Sequence, residues 1–290
     1  MIKAQVWDTR RCWVGEGPAS SGPGNNSVTW VDILNGKILA KDLATEKTSE
    51  HLTGEDVGFA IPRTKGGHVI GINSGPSLRD ADGTLHPLPN RLSADGKSDP
   101  VPTRWNDAKI SPTGDLWLGT LAYNNESGLS ALYKMDRHGK SLTRIIDGVT
   151  CSNGIDWSDD GKTMYYVDTM TGNIDAFDYD GNDISNRRTM VHIPEANGYP
   201  DGICMDAQGG LWVAFWGSGE VRRFDEKFKV SEIITMPSKF VTSCVFAGPN
   251  LDQLIITSAH NGDPDGDNEA GMTCIATPGV RGRTTTLYPL

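Results

Sequence analysis

The chain has 290 residues, 37% of them hydrophobic and eight of them Trp, so it can fill a substantial core. Its formal net charge of −10 argues against nucleic acid as a partner, because phosphate binding needs a basic face. The five cysteines are odd in number with no Cys-x-x-Cys pair, which fits a reduced compartment rather than a disulfide framework. No apolar run approaches the roughly 20 residues that span a bilayer, and Met1–Arg10 lacks the apolar core of a signal peptide. The expectation is a cytoplasmic protein with neither a membrane nor a nucleic-acid partner.

From the N-terminus onward, a Gly-containing turn followed by apolar alternation recurs six times. The first apolar residue after each turn is Val28, Val69, Leu116, Met164, Leu211 and Leu254, in steps of 41, 47, 48, 47 and 43 residues. The clearest copies are Ser111–Thr120, Ser158–Val167 and Asp206–Ala214. A second strand follows in most copies, at Gly36–Leu43, Ser130–Asp136, Gly172–Asp178, Gly219–Asp225 and Gly271–Ala276. Strand–turn repeats of this period are propeller blades. The sequence therefore predicts an all-β, six-bladed β-propeller, with residues 1–290 as a single domain. That overrides the two domains that length alone would suggest. The extended start Ala4–Trp7 is expected to pair with the final strand Thr284–Tyr288 and close the ring.

Upstream of each turn lies the strand expected innermost. Glu16, Asn106, Asn153 and Asp201 stand 12, 10, 11 and 10 residues before their respective anchors, at equivalent positions of separate blades. In a closed ring these positions surround one mouth of the central channel. Two readings are open. Buried without partners, two carboxylates and two amides would lose several kcal/mol of hydration, and a hard divalent cation with oxygen ligands removes that cost. Alternatively, Asn, Asp and Gly open these strands as turn formers. The second reading suits Asn153-Gly154 and Asp201-Gly202, and it does not suit Glu16, which sits between two glycines and a proline.

Arg104, two residues before Asn106, either reaches the same mouth to hold a polyol or anion or lies on the surface. Asp107, Asp156 and Asp168 are further ligand candidates, although strand-end aspartates commonly bond to backbone. The acidic loop Asp263–Glu269 lacks the glycine and flanking helices of an EF-hand and reads as a solvated loop. Without an HExxH or GxSxG motif, zinc-protease and serine-hydrolase readings drop out.

Four segments, Gly15–Pro18, Arg104–Asp107 leading into Ser111–Gly114, Ser152–Trp157, and Tyr199–Gly202 leading to Leu211–Ala214, are joined by Asn173–Asp180 and Ser185–Arg188. In their order and spacing the chain resembles the SMP-30/gluconolactonase/regucalcin family over nearly its whole length. The resemblance implies one divalent metal in the channel of a six-bladed propeller, calcium first, with Mg, Mn or Zn as alternatives. It places the metal ligands on Glu16, Asn153 and Asp201, the substrate-binding pair on Arg104 and Asn106, and the catalytic base on Asp201. Asn106 thereby moves from the ligand ring to a substrate contact. One departure is local: the opening Leu129-Ser130-Ala131 and the short loop Ala122–Gly128 differ from the family pattern, and that loop borders the substrate in relatives.

The implied activity is metal-dependent hydrolysis of a sugar lactone to the aldonic acid, by a monomer or weak dimer. The cation polarises the carbonyl. A cation-bound carboxylate is a weak base, so whether Asp201 or cation-activated water drives the attack is open. A phosphotriester hydrolase on the same scaffold and a non-catalytic calcium-binding regulator are the alternatives, the latter at odds with Arg104 and Asn106.

Overall fold

In the computed structural model, which describes residues 2–22, 24–91, 102–262 and 268–290, every anchor pairs with the innermost strand of its own sheet. Val28 pairs with Ser20, Val69 with Ile61, Leu116 with Ile110, Met164 with Trp157, Leu211 with Met205 and Leu254 with Phe246. Each pairing lies at or next to the turn end of the first hairpin of a separate antiparallel sheet, and each anchor is buried. The local signal of a turn followed by alternation thus marks the same corner six times. Most of the acidic loop Asp263–Glu269 and of the stretch Pro89–Thr103 lies outside the described residues.

The innermost strands are Gly15–Ser20, Val57–Pro62, Thr103–Ile110, Ser152–Trp157, Tyr199–Met205 and Val241–Ala247, in blades 1 to 6. Each packs against the innermost strand of the next blade, and the sixth packs against the first, so the ring is closed. The result is a six-bladed β-propeller. A buried apolar cluster fills every wedge between neighbouring blades. Phe59 and Val69 meet Trp105 and Leu118 between blades 2 and 3, and Trp117 and Leu132 meet Trp157 and Met164 between blades 3 and 4. The Trp after two of the turns, Trp117 and Trp212, is fully buried blade packing. No described helix is long and apolar enough to cross a membrane.

Closure of the ring differs from the expectation. Gln5–Asp8 pairs antiparallel with Thr273–Ala276 as the outermost strand of blade 6, not with Thr284–Tyr288. Ile2–Lys3 adds in parallel to Val230–Thr235 of blade 5. The tail after Ala276 instead runs from blade to blade: Thr285 bonds to Ser20, Arg283 to Asp156, and Tyr288 bridges to Arg63. Tyr288 is fully buried in the cluster between blades 2 and 3, with its hydroxyl on the Asp136 carbonyl. The tail is held by the buried Tyr288 side chain, by the Tyr288 amide on the Pro62 carbonyl and by the isolated bridges Arg63–Tyr288 and Asp206–Gly282, and it forms no ladder.

Candidate active site

All six innermost strands carry one extra residue at the same height. The register breaks fall between Glu16 and Ala19, Val57 and Phe59, Trp105 and Ala108, Ser152 and Ile155, Pro200 and Ile203, and Val241 and Ser243. A bulge bends its strand and re-aims a side chain. Asn106, Asn153 and Asp201 lie inside their bulges, and Glu16 opens the first. The ring of polar residues is therefore set by a repeated backbone irregularity.

The turn-former reading of Gly154 and Gly202 fails here. Both lie within strands, and neither has a positive φ. A Cβ on Gly154 would come 2.6 Å from the Asp201 carbonyl oxygen, and one on Gly202 would come 2.1 Å from Ser243 Oγ. These glycines let adjacent innermost strands close on each other around the axis.

Glu16, Arg104, Asn106, Asn153 and Asp201 line one cleft of about 450 Å³. All five are buried, at 4% to 7% exposure, so Arg104 is no surface residue. Arg104 Nη1 donates to Asn106 Oδ1 at 2.5 Å. Asn106 Nδ2 donates to the Ser152 carbonyl at 2.9 Å and to Asn153 Oδ1 at 3.0 Å. Asn153 Nδ2 donates to Thr169 Oγ1 at 2.8 Å, which fixes the amide with its oxygen toward Asn106. The Gly17 amide donates to Glu16 Oε2 at 2.6 Å, while Asp201 Oδ1 is buried with no hydrogen-bond partner.

Burial pushes the Glu16 carboxyl up to about 8, with the Asp107 charge adding to it. Burial, then the Glu16 charge, holds Asp201 well above the usual carboxylate range. The two carboxyls also hydrogen-bond to each other, on top of the burial that dominates and raises both. Two desolvated carboxylates and an oriented amide oxygen form an all-oxygen donor set, and one of its oxygens is orphaned. Those are the features that suit a hard divalent cation.

The remaining aspartates separate by height. Asp168 accepts the Thr150 and Cys151 amides at 3.1 and 3.0 Å, as expected of a strand-end carboxylate. Asp156 accepts the Met205 amide at 2.8 Å and faces Lys109 and Arg283 near the opposite mouth. Asp107 lines the channel between the two mouths. Sequence reading missed Thr169, Tyr123, Met170, Tyr199 and Trp216, which also line the cleft. Thr169 alone left a signal, as the residue after a strand-closing aspartate.

Comparison with known proteins follows this geometry. The family described as SMP-30/Gluconolactonase/LRE-like region matches residues 14–260. Regucalcin of Danio rerio is 34% identical over 97% of this chain and 96% of that protein. The putative sugar lactone lactonase YvrE of Bacillus subtilis is 34% identical over 87% of this chain and 85% of that protein. Among solved structures, a calcium-binding protein, regucalcin, from Agrobacterium tumefaciens has a TM-score of 0.91 at 28% identity, covering 100% of this chain and 98% of that one.

Proposed function

As the chain belongs to the SMP-30/gluconolactonase/LRE-like family, we propose that it is a metal-dependent hydrolase opening a sugar lactone to its aldonic acid. The observation that carries this reading is the buried Glu16–Asp201 pair with its orphaned Asp201 Oδ1, beside the hydrogen-bonded Arg104 and Asn106. The site residues are assigned as follows: Glu16, Asn153 and Asp201 hold one divalent cation, and Arg104 and Asn106 hold the substrate. Calcium is favoured by the all-oxygen donor set. When bound, the cation supplies positive charge that polarises the lactone carbonyl.

The chain's own residues do the rest. Arg104 presents donors, and the Asn106 amide oxygen a remaining lone pair, to the ring hydroxyls, and together they fix the lactone above the carboxylates, a contribution through positioning. Thr169 holds the Asn153 amide in the orientation that leaves its oxygen available. With both carboxyls ionised, Asp201 accepts the proton of the attacking water. The water oxygen bonds to the carbonyl carbon, the ring C–O bond breaks, and the ring oxygen takes that proton back from Asp201 to become the free hydroxyl. The acid product ionises, so each turnover releases one proton.

Non-catalytic calcium binding is the competing reading, favoured by the likeness to the calcium-binding Agrobacterium protein. A panel of aldonolactones assayed by proton release, with the metal chelated and then restored, tests the two together. Calcium-dependent turnover supports the lactonase. Calcium binding with every lactone left at its spontaneous rate supports the regulator.

A further inference from the structure

The floor of the cleft is polar, and its rim sets apolar side chains beside the exposed Asn125 and Asn261. Among the described residues seven large apolar side chains stand exposed, and three of them line this one cleft: Leu34 at 40%, Tyr123 at 44% and Met170 at 54%. A fourth, Trp13 at 43%, stands beside it, stacked on His260 at 5.7 Å and accepting the Asn261 amide through its carbonyl. An exposed Leu or Met alone carries no meaning, whereas a cluster around a concave site marks where an apolar ligand surface is covered.

The polar atom of Tyr123 is engaged: its hydroxyl donates to Asp56 Oδ2 and accepts from Asn73 Nδ2 at 2.8 Å. What this side chain leaves for a ligand is ring surface, beside the alkyl surface of Met170.

We infer that the site takes a sugar lactone with an apolar exocyclic end, its ring hydroxyls toward Arg104 and Asn106 and a methyl or larger apolar group against Tyr123 and Met170, which stand on the neighbouring blades 3 and 4. The substrate class is then a deoxy or alkyl-substituted sugar lactone, in preference to one ending in a hydroxymethyl group. This rests on the lactonase reading above. A terminal hydroxyl brought against these two side chains gives up water without gaining a partner, while a methyl gains burial. One such group in an apolar pocket is worth about 10-fold or more in kcat/KM, and a partly open rim belongs at the low end.

The test uses two matched pairs, L-fuconolactone with L-galactonolactone and L-rhamnonolactone with L-mannonolactone. Within each pair a terminal methyl replaces a hydroxymethyl group. The calcium-loaded protein is expected to favour the deoxy member about 10-fold in kcat/KM. The variant Met170→Gln, changed only at an exposed position, is expected to bring that ratio close to one. Equal rates within a pair, preference for the hydroxymethyl member, or activity confined to aldonolactones with hydroxymethyl ends overturns the inference and leaves the lactonase standing. A methyl preference that survives in Met170→Gln also overturns it, because this arc of the rim is then not its source. Failure on every lactone, these four included, removes the lactonase reading and the inference with it.

Discussion

Asn106 Nδ2 donates to Asn153 Oδ1 across 3.0 Å, joining the innermost strands of blades 3 and 4 at the floor of the cleft. Because Arg104 donates to the other end of the same Asn106 amide, the proposed substrate residues and a proposed cation ligand form one hydrogen-bonded chain that ends on Thr169. The two halves of the site are therefore mechanically coupled, although their residues are 47 positions apart in sequence.

Replacing Asn106 tests that coupling. Asn106→Ala leaves the buried Ser152 carbonyl without this donor and frees the Asn153 amide to turn. The expected cost is about 1–3 kcal/mol of unfolding free energy, together with weaker calcium binding and lower kcat/KM. Urea unfolding with and without calcium measures the first two effects. A variant that loses only kcat/KM, with calcium affinity intact, would show that the two halves act separately.

The carboxyl pair gives the metal-free protein a stability slope of definite sign. Unfolded, Glu16 ionises near 4.5, and folded it keeps its proton up to about 8. Between those values the folded state binds more protons, so stability falls as pH rises and levels off above the folded value. Asp201, raised in the same direction, adds to the fall. Buried His68, lowered to about 4, works oppositely up to its ordinary value of 6.5, so the clear window is about 6.5 to 8. In chelator, the melting temperature of wild type is expected to drop across that window and that of Glu16→Gln to drop less. Parallel curves for the two proteins would contradict the pairing.

Calcium is expected to raise the melting temperature, because it binds the folded state; at a free concentration about 100 times Kd the gain is roughly 2.7 kcal/mol. Glu16→Gln and Asp201→Asn each remove a negative charge from the donor set and should lose most of that gain. Asn153→Ala removes a neutral ligand and should lose less. Elemental analysis after gel filtration supplies the independent check. Wild-type occupancy in Asp201→Ala would remove Asp201 from the ligand set.

At the other end of the innermost strand of blade 5, Asp206 is fully buried and accepts Arg223 Nε at 2.6 Å, Trp212 Nε1 at 2.9 Å and the Gln208 and Gly210 amides. Asp206→Ala strands the Arg223 charge and the Trp212 indole. The expected cost is about 3–5 kcal/mol, with kcat on any substrate unchanged below the melting transition. A loss under 1 kcal/mol in denaturant unfolding would mean that water replaces the carboxylate.

The propeller was legible because its signal is local: a turn and the alternation after it lie within ten residues, as at Ser111–Thr120. Glu16 stood out because a glutamate between glycines has no turn-forming reason to be there. Ring closure was not legible, since Gln5–Asp8 and Thr284–Tyr288 are both short extended segments. Only contacts across blades, such as the burial of Tyr288 between blades 2 and 3, separate the one that joins a sheet from the one that does not. The bond from Tyr123 to Asp56 spans 67 positions, and no spacing rule reaches across blades to find it. Gly154 and Gly202 mimicked turn residues because close approach of two strands and a tight turn both call for a missing Cβ.

The central claim is that Glu16 and Asp201 hold a cation with which the chain hydrolyses lactones. Its most direct measurement is the initial rate of proton release from aldonolactones, read for wild type in chelator, for wild type with calcium restored, and for Asp201→Ala with calcium. The account expects turnover only in the second case, faster than on a phosphotriester, with the other two at the spontaneous rate. Full activity in chelator or in Asp201→Ala, or a phosphotriester preferred to every lactone, would contradict it.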